Sequence, residues 1–243
     1  MKKQGLSSIV IFIYEQKENM KKLFQNGASA WIDQRLTTEA MNYLWDSINI
    51  PVAQQTDIRN SLAGNISKSY YIQDTWFYEN VLKQAAETLY FRDWASYYNV
   101  HIAKGVRSPV FKLNTIWVNY QKQHEFNPPH GHEGMFSFVV FMKIPTHWKE
   151  QHALPWLKGV DEAYASDFQF LLSQGQGPIQ PITIPLCPED EGRMLFFPAW
   201  LYHQVFPFYE CEKERITVSG NIVFDTSEVE EDRRPAISGK NNE

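Results

Sequence analysis

Between Val110 and Phe224 the chain is a succession of short runs rich in β-branched and aromatic residues, broken by proline, glycine and charged turns. The runs are Val110–Tyr120, Met135–Ile144, Ser166–Ser173, Ile179–Leu186, Arg193–Phe197 and Arg215–Phe224. Strands this short and this regularly spaced bury their apolar faces by stacking or closing sheets, so the predicted fold is mainly β, a sandwich or barrel. The aromatic fraction of 15% fits sheets and an aromatic-walled cavity better than a helical bundle. Thr146–Ala165, with Trp148, Pro155, Trp156 and Gly159, interrupts the strands as a loop or short helix over one end.

Upstream, the sequence reads as mixed, with helices dominant. Thr37-Thr38-Glu39 followed by Met41, Leu44, Trp45 and Ile48 has the cap and spacing of an amphipathic helix ended by Pro51. Glu79 to Tyr98 carries a second helical spacing, and a polar stretch around Asn60–Ser67 separates the two. The expected organisation is one domain over 1–224, helix-rich in 1–108 and β in 109–224, followed by a charged, mobile tail over 225–243. Ile9–Tyr14 is shorter than the apolar core of an export signal and is followed by Glu15, so it reads as a buried strand. No run reaches the roughly 18 apolar residues of a membrane span. Lys plus Arg number 23 against 28 Asp plus Glu, a net charge of −5 that disfavours nucleic acid and anionic membranes as partners. Two cysteines, Cys187 and Cys211, make no disulfide framework and point to a reducing cytoplasm. Oligomeric state is not encoded in any pattern here.

Three segments carry chemistry. Asn127-Pro128-Pro129-His130-Gly131-His132-Glu133-Gly134 precedes the run Phe136–Phe141. Residues two apart on an extended chain project to the same side, so His130 and His132 can enter one cavity, as chelation of a metal requires. In Gly192-Arg193-Met194-Leu195-Phe196-Phe197-Pro198-Ala199-Trp200-Leu201-Tyr202-His203, a short apolar strand leads to a histidine that could be a buried residue satisfied by a backbone carbonyl or, in a set with His130 and His132, a third imidazole ligand. Imidazoles suit several transition metals and do not name one. In Arg215–Phe224, alternation places Arg215, Thr217, Ser219 and Asn221 on one face. That face could meet solvent, or Arg215 and Thr217 could hold a carboxylate by charge-assisted hydrogen bonds.

The order H-x-H, then G-x-x-x-F-F-P-x-x-x-x-H, then R-x-T-x-S-G-N resembles the Fe(II)/2-oxoglutarate-dependent oxygenases, within them the prolyl-4-hydroxylase-like branch of bacteria and their phages. The likeness runs from about Val110 to Phe224, and Leu62–Ile66 adds a softer match to phage-borne members. The resemblance implies a double-stranded β-helix (a cupin-like jelly roll) with flanking helices, and an Fe(II) centre that takes 2-oxoglutarate and O2. It implies iron held by His130, His132 and His203, with Glu133 as the alternative to His132. His132 stands where the family commonly has an aspartate, and Asp167 is a remote further candidate. It implies 2-oxoglutarate held by Arg215, Thr217 and Tyr120, with Asn119 a weaker candidate. Trp117, Phe138, Phe197, Trp200 and Tyr202 could wall the cavity. The implied reaction hydroxylates a small molecule or peptidyl residue, proline included, and releases succinate and CO2, in the host cytoplasm if the chain is phage-encoded. Two other readings remain open: a cupin-like metal enzyme without 2-oxoglutarate, which does not need Arg215 and Thr217 beside the metal, and a non-catalytic β-helix binding module.

Overall fold

The computed structural model describes residues 10–16, 19–26, 29–90, 110–173 and 177–225, with side chains described from Ala30 onward. Eight strands form the β core: β6 (Phe111–Gln121), β7 (Asn127–His130), β8 (Phe136–Lys143), β9 (Phe168–Leu172), β10 (Gln180–Ile184), β11 (Arg193–Pro198), β12 (His203–Val205) and β13 (Arg215–Phe224). They divide between two antiparallel sheets, β11-β8-β13-β6 in the larger and β10-β9-β12-β7 in the smaller. Numbered one to eight in chain order, the core strands run 6-3-8-1 and 5-4-7-2, which is the jelly-roll order of two Greek keys. The double-stranded β-helix expected from the sequence is therefore the fold.

The larger sheet is extended at both ends. On one side lie β3 (Ser29–Arg35), β2 (Asn19–Asn26) and β1 (Val10–Gln16); on the other lie β5 (Ser69–Tyr71) and β4 (Thr56–Asp57). In the region before residue 108, expected to be mixed with helices dominant, the described part holds α1 (Thr38–Ile48), the helical turn Tyr78–Leu82 that runs into α2 (Lys83–Leu89), and five strands. The polar residues of β2 and β3 hide those strands from pattern reading. The second helical spacing is seen only to Tyr90; Phe91–Tyr98 lie outside the described residues, as do Ile9 and 226–243 of the expected tail.

α1 begins at the cap read from the sequence, with Thr37 Oγ1 accepting from Ala40 N at 3.2 Å. Its buried residues Ala40, Leu44 and Ile48 pack on the outer face of the larger sheet with Leu82, Ala86 and Leu89. The inner face packs against the smaller sheet through Val139, Phe141, Phe168, Phe170, Leu195 and Phe197. The larger sheet is thus covered on both sides, and Phe136–Met142 of β8 is buried at every residue. That explains a continuous apolar run where one-sided burial would give alternation. Residues 146–165 fold as α3 (Trp148–His152) and a short 3-10 turn, Pro155–Leu157.

β13 lies between β6 and β8 and pairs with both. At Gly220 a Cβ would stand 2.5 Å from Thr115 O and 2.7 Å from the Phe138 ring. Gly220→Ala should therefore force the sheet apart and cost about 1–3 kcal/mol. A urea-unfolding midpoint measured beside wild type checks this.

Candidate active site

β7 and β12 pair antiparallel in the smaller sheet, with His203 opposite His130. The prolines of β7, Pro128 and Pro129, concealed a strand from sequence reading. They are tolerated because β7 is an edge strand, where a missing N–H breaks no ladder bond on the free side. After His130 the chain turns; His132 N donates to Ala199 O at 2.7 Å, and Ala199 N donates to Met135 O at 3.0 Å. Gly134 completes the turn with φ +105°, and a Cβ there would come within 2.8 Å of Ile222 O. Gly131 is approached by the Tyr202 ring and the backbone oxygens of Ala199 and Trp200.

These constraints bring three imidazoles together. Ring centroids are 4.3 Å apart for His130–His203, 4.9 Å for His130–His132 and 5.1 Å for His132–His203. One ligand atom from each lies within 4.8 Å of the others. Two rings are oriented from behind by the backbone: His130 Nδ1 meets Pro128 O at 2.7 Å and His203 Nδ1 meets Leu201 O at 3.0 Å. A carbonyl can only accept, so Nδ1 carries the proton and Nε2 keeps its lone pair, the tautomer a metal ligand needs. Burial depresses all three pKa values, His132 to about 4 and His203 well below the usual range, so the rings are neutral at pH 7.

The cavity holding this cluster is lined by aromatic residues, Trp117, Phe138, Phe141, Phe168 and Phe197, and by polar ones on β6 and β13. Asn119 and Gln121 of β6 face it together with Arg215, Thr217 and Ser219 of β13. The register explains the pairing of faces, since Asn119 lies opposite Thr217 and Gln121 opposite Arg215. Tyr120 is corrected by the same register. It points to the opposite face, with its hydroxyl 3.4 Å from Ile48 O and its ring against Tyr70, and takes no part in the cavity. Asn119, the weaker candidate, occupies the place instead, bonded through Oδ1 to Ser69 Oγ at 2.7 Å.

Glu133 is exposed and outside the three-histidine group. Asp167 is fully buried but bonds His152 Nε2 at 2.9 Å and is no member of the group either. No Asp or Glu lines the cavity among the described residues. Trp200 and Tyr202, expected in its wall, are exposed at 38% and 55% and lie outside it. Leu62, Ala63, Gly64 and Ile66 form one side of the cavity, a contribution that only the fold reveals.

Arg215 is the unusual charge. It is fully buried, yet no carboxylate lies within ion-pair distance among the described residues, and its Nε has no hydrogen-bond partner. Burial lowers its pKa to about 10, so it remains a cation at neutral pH. The buried Asp167 carboxyl acts on it electrostatically without forming an ion pair, and a buried cation not fully paired is costly unless an anion completes it. A second group, His147, Cys187 and Glu189, also has its ligand atoms within 4.8 Å. There, however, Cys187 Sγ bonds Asp190 Oδ2 at 3.3 Å and His147 Nδ1 accepts from Lys149 N at 3.1 Å, so both groups are engaged in local turns.

Residues 115–221, spanning all three histidines, Arg215 and Thr217, match the family model described as putative 2OG-Fe(II) oxygenase. That match takes in the β core and the three-histidine cluster and leaves the first 114 residues outside it. Among curated proteins, none matches this chain. Solved structures similar to it include a 2OG-Fe(II) oxygenase family oxidoreductase from Burkholderia pseudomallei, 12% identical over 84% of this chain and 72% of that one, with a TM-score of 0.35. A prolyl-4-hydroxylase from Pseudomonas putida is 14% identical over 78% of this chain and 90% of that one, with a TM-score of 0.43. A non-heme alpha ketoglutarate dependent epimerase from nogalamycin biosynthesis is 12% identical over 88% of each chain, with a TM-score of 0.44. No helix among the described residues is long and apolar enough to cross a membrane.

If the three imidazoles hold Fe(II), His203→Ala should weaken its binding by more than about 100-fold, with the fold retained. Anaerobic calorimetry beside His124→Ala, a histidine outside the group, checks it. The metal-free protein should also lose stability as pH falls from 6.5 towards 4. The unfolded chain takes up a proton on His132 in that window while the folded chain, with its depressed pKa, does not. Thermal melts across the window should show the fall, and His132→Gln should reduce it.

Proposed function

We propose that the protein is an Fe(II)- and 2-oxoglutarate-dependent hydroxylase of a small-molecule or peptidyl substrate, releasing succinate and CO2. The observation that supports this reading is a single cavity lined by three neutral imidazoles and by a buried arginine whose Nε has no hydrogen-bond partner among the described residues. The donor set fits the group: neutral imidazoles are good ligands for ferrous iron, and a guanidinium with an orphaned N–H fits a carboxylate.

In this reading His130 and His203 hold the iron through the nitrogens left free by their backbone hydrogen bonds, and His132 supplies the third imidazole. Arg215 holds the distal carboxylate of 2-oxoglutarate, with the Thr217 hydroxyl on the same strand face and Gln121 opposite. Bound together, iron and 2-oxoglutarate supply the activation of dioxygen that the side chains cannot. The protein orients both, and Phe138, Phe141, Phe168 and Phe197 keep the reacting centre dry. With no carboxylate among the described lining residues, the negative charge around the metal comes from the cosubstrate. Arg215 in the same cavity favours this reading over a metal enzyme without 2-oxoglutarate, which has no use for a buried cation there.

Adding Fe(II) and then 2-oxoglutarate without oxygen should produce the weak visible charge-transfer band of a 2-oxo acid chelated to ferrous iron. Arg215→Ala should raise the 2-oxoglutarate concentration for half-maximal band by about 10- to 100-fold, the loss of one charge-assisted contact. Iron binding with no band at any 2-oxoglutarate concentration would refute the proposal.

A further inference from the structure

Arg215 is held from behind by a residue that is not on the cavity wall. Its Nη2 donates to both Ser166 O, at 2.8 Å, and Ser166 Oγ, at 2.5 Å. The other contacts to the guanidinium are weaker: Nη1 reaches Gln121 Oε1 at 3.4 Å, and the Phe208 ring lies 5.2 Å away. Ser166 is completely buried and has φ +75°, left-handed backbone that a residue with a Cβ rarely adopts. In that conformation its carbonyl and hydroxyl both reach a single nitrogen.

The surroundings impose the conformation. Ser166 N donates to Pro207 O at 2.9 Å, Asp167 N to Tyr164 O at 3.0 Å, and Phe206 N to Asp167 O at 2.9 Å. Thr146 Oγ1 lies 3.1 Å from Ser166 Oγ, and the Asp167 side chain is tied to His152 of α3. The turn entering β9 is therefore clamped by the 146–165 segment on one side and by the β12–β13 connection on the other. A strained residue fixed by so many bonds, and spending both its acceptors on one buried cation, marks a functional constraint.

We propose that Ser166 is a positioning residue that sets the affinity of the site for the distal carboxylate of 2-oxoglutarate by fixing the Arg215 guanidinium. The proposal rests on the hydroxylase reading, in which Arg215 meets that carboxylate. Ser166 itself touches neither cosubstrate nor metal.

Two 2-oxo acids separate this role from a general loss of structure. Both 2-oxoglutarate and 2-oxobutyrate carry the chelating 2-oxo acid group, but only the first has a distal carboxylate for Arg215. Each is titrated into the anaerobic Fe(II) protein, following the charge-transfer band, for wild type, Ser166→Gly and Ser166→Ala. Glycine accepts the left-handed backbone and keeps the carbonyl contact while removing the hydroxyl; alanine removes the hydroxyl and keeps the Cβ. Both variants should bind 2-oxoglutarate about tenfold more weakly, as expected for losing one hydrogen bond to a charged group. Their 2-oxobutyrate and Fe(II) affinities should match wild type. Unchanged 2-oxoglutarate affinity in both variants overturns the positioning role and leaves the hydroxylase reading standing. An equal loss for both 2-oxo acids overturns it too, since the damage is then not at the arginine. A wild type that shows no preference for 2-oxoglutarate over 2-oxobutyrate overturns the role of Arg215 and this inference with it.

Discussion

The site depends on β13 being paired along both edges. A strand held by β6 on one side and β8 on the other has little freedom to slip, and a slip of one residue would exchange its two faces. In the observed register Val218 and Ile222 enter the core beneath the helices, while Arg215, Thr217 and Ser219 enter the cavity between the sheets. Apolar burial on the outer face thus fixes the place of a cation on the inner one. The opposing sheet contributes by a similar device, since pairing of β7 with β12 sets two histidines side by side.

Electrostatics then select what the cavity accepts. Burial keeps the imidazoles neutral and available as ligands, while Arg215 stays charged because a guanidinium resists deprotonation even at its lowered pKa. Asp167, the acid nearest in sequence to the turn that supports Arg215, is pushed up to about 8 by burial and is mostly protonated at neutral pH. Arg215 pulls the other way on the same carboxyl, but no ion pair forms between the two. A cavity with a cation and no carboxylate among its described lining residues favours anions, in keeping with an acidic cosubstrate.

Much of this was legible in the sequence because the signals were local. The H-x-H spacing, the histidine after an apolar strand and the Arg-x-Thr alternation each place side chains within one extended segment. The cap at Thr37 and the spacing of Leu44 and Ile48 marked α1 in the same way. What escaped was non-local or broke the local rules. Prolines disguised β7, and three residues were too few to announce β12. Polar composition concealed β2 and β3. Tyr120 and Asn119 are neighbours on one strand, and only the register with β13 tells which of them faces the cavity. Ser166 and the Leu62–Ile66 wall reach the site through contacts across the fold, for which no sequence period exists.

Among the described residues the smaller sheet ends at β7 and β10, and each carries proline: Pro128 and Pro129 in the first and Pro181 in the second. A free edge ordinarily offers a row of N–H and C=O groups on which a strand from another molecule can form. Proline removes donors from that row, so neither edge presents a complete template for intermolecular pairing. The residues that obscure the histidine-bearing strand from a reader of the sequence also help to keep it from joining the sheet of a neighbouring molecule.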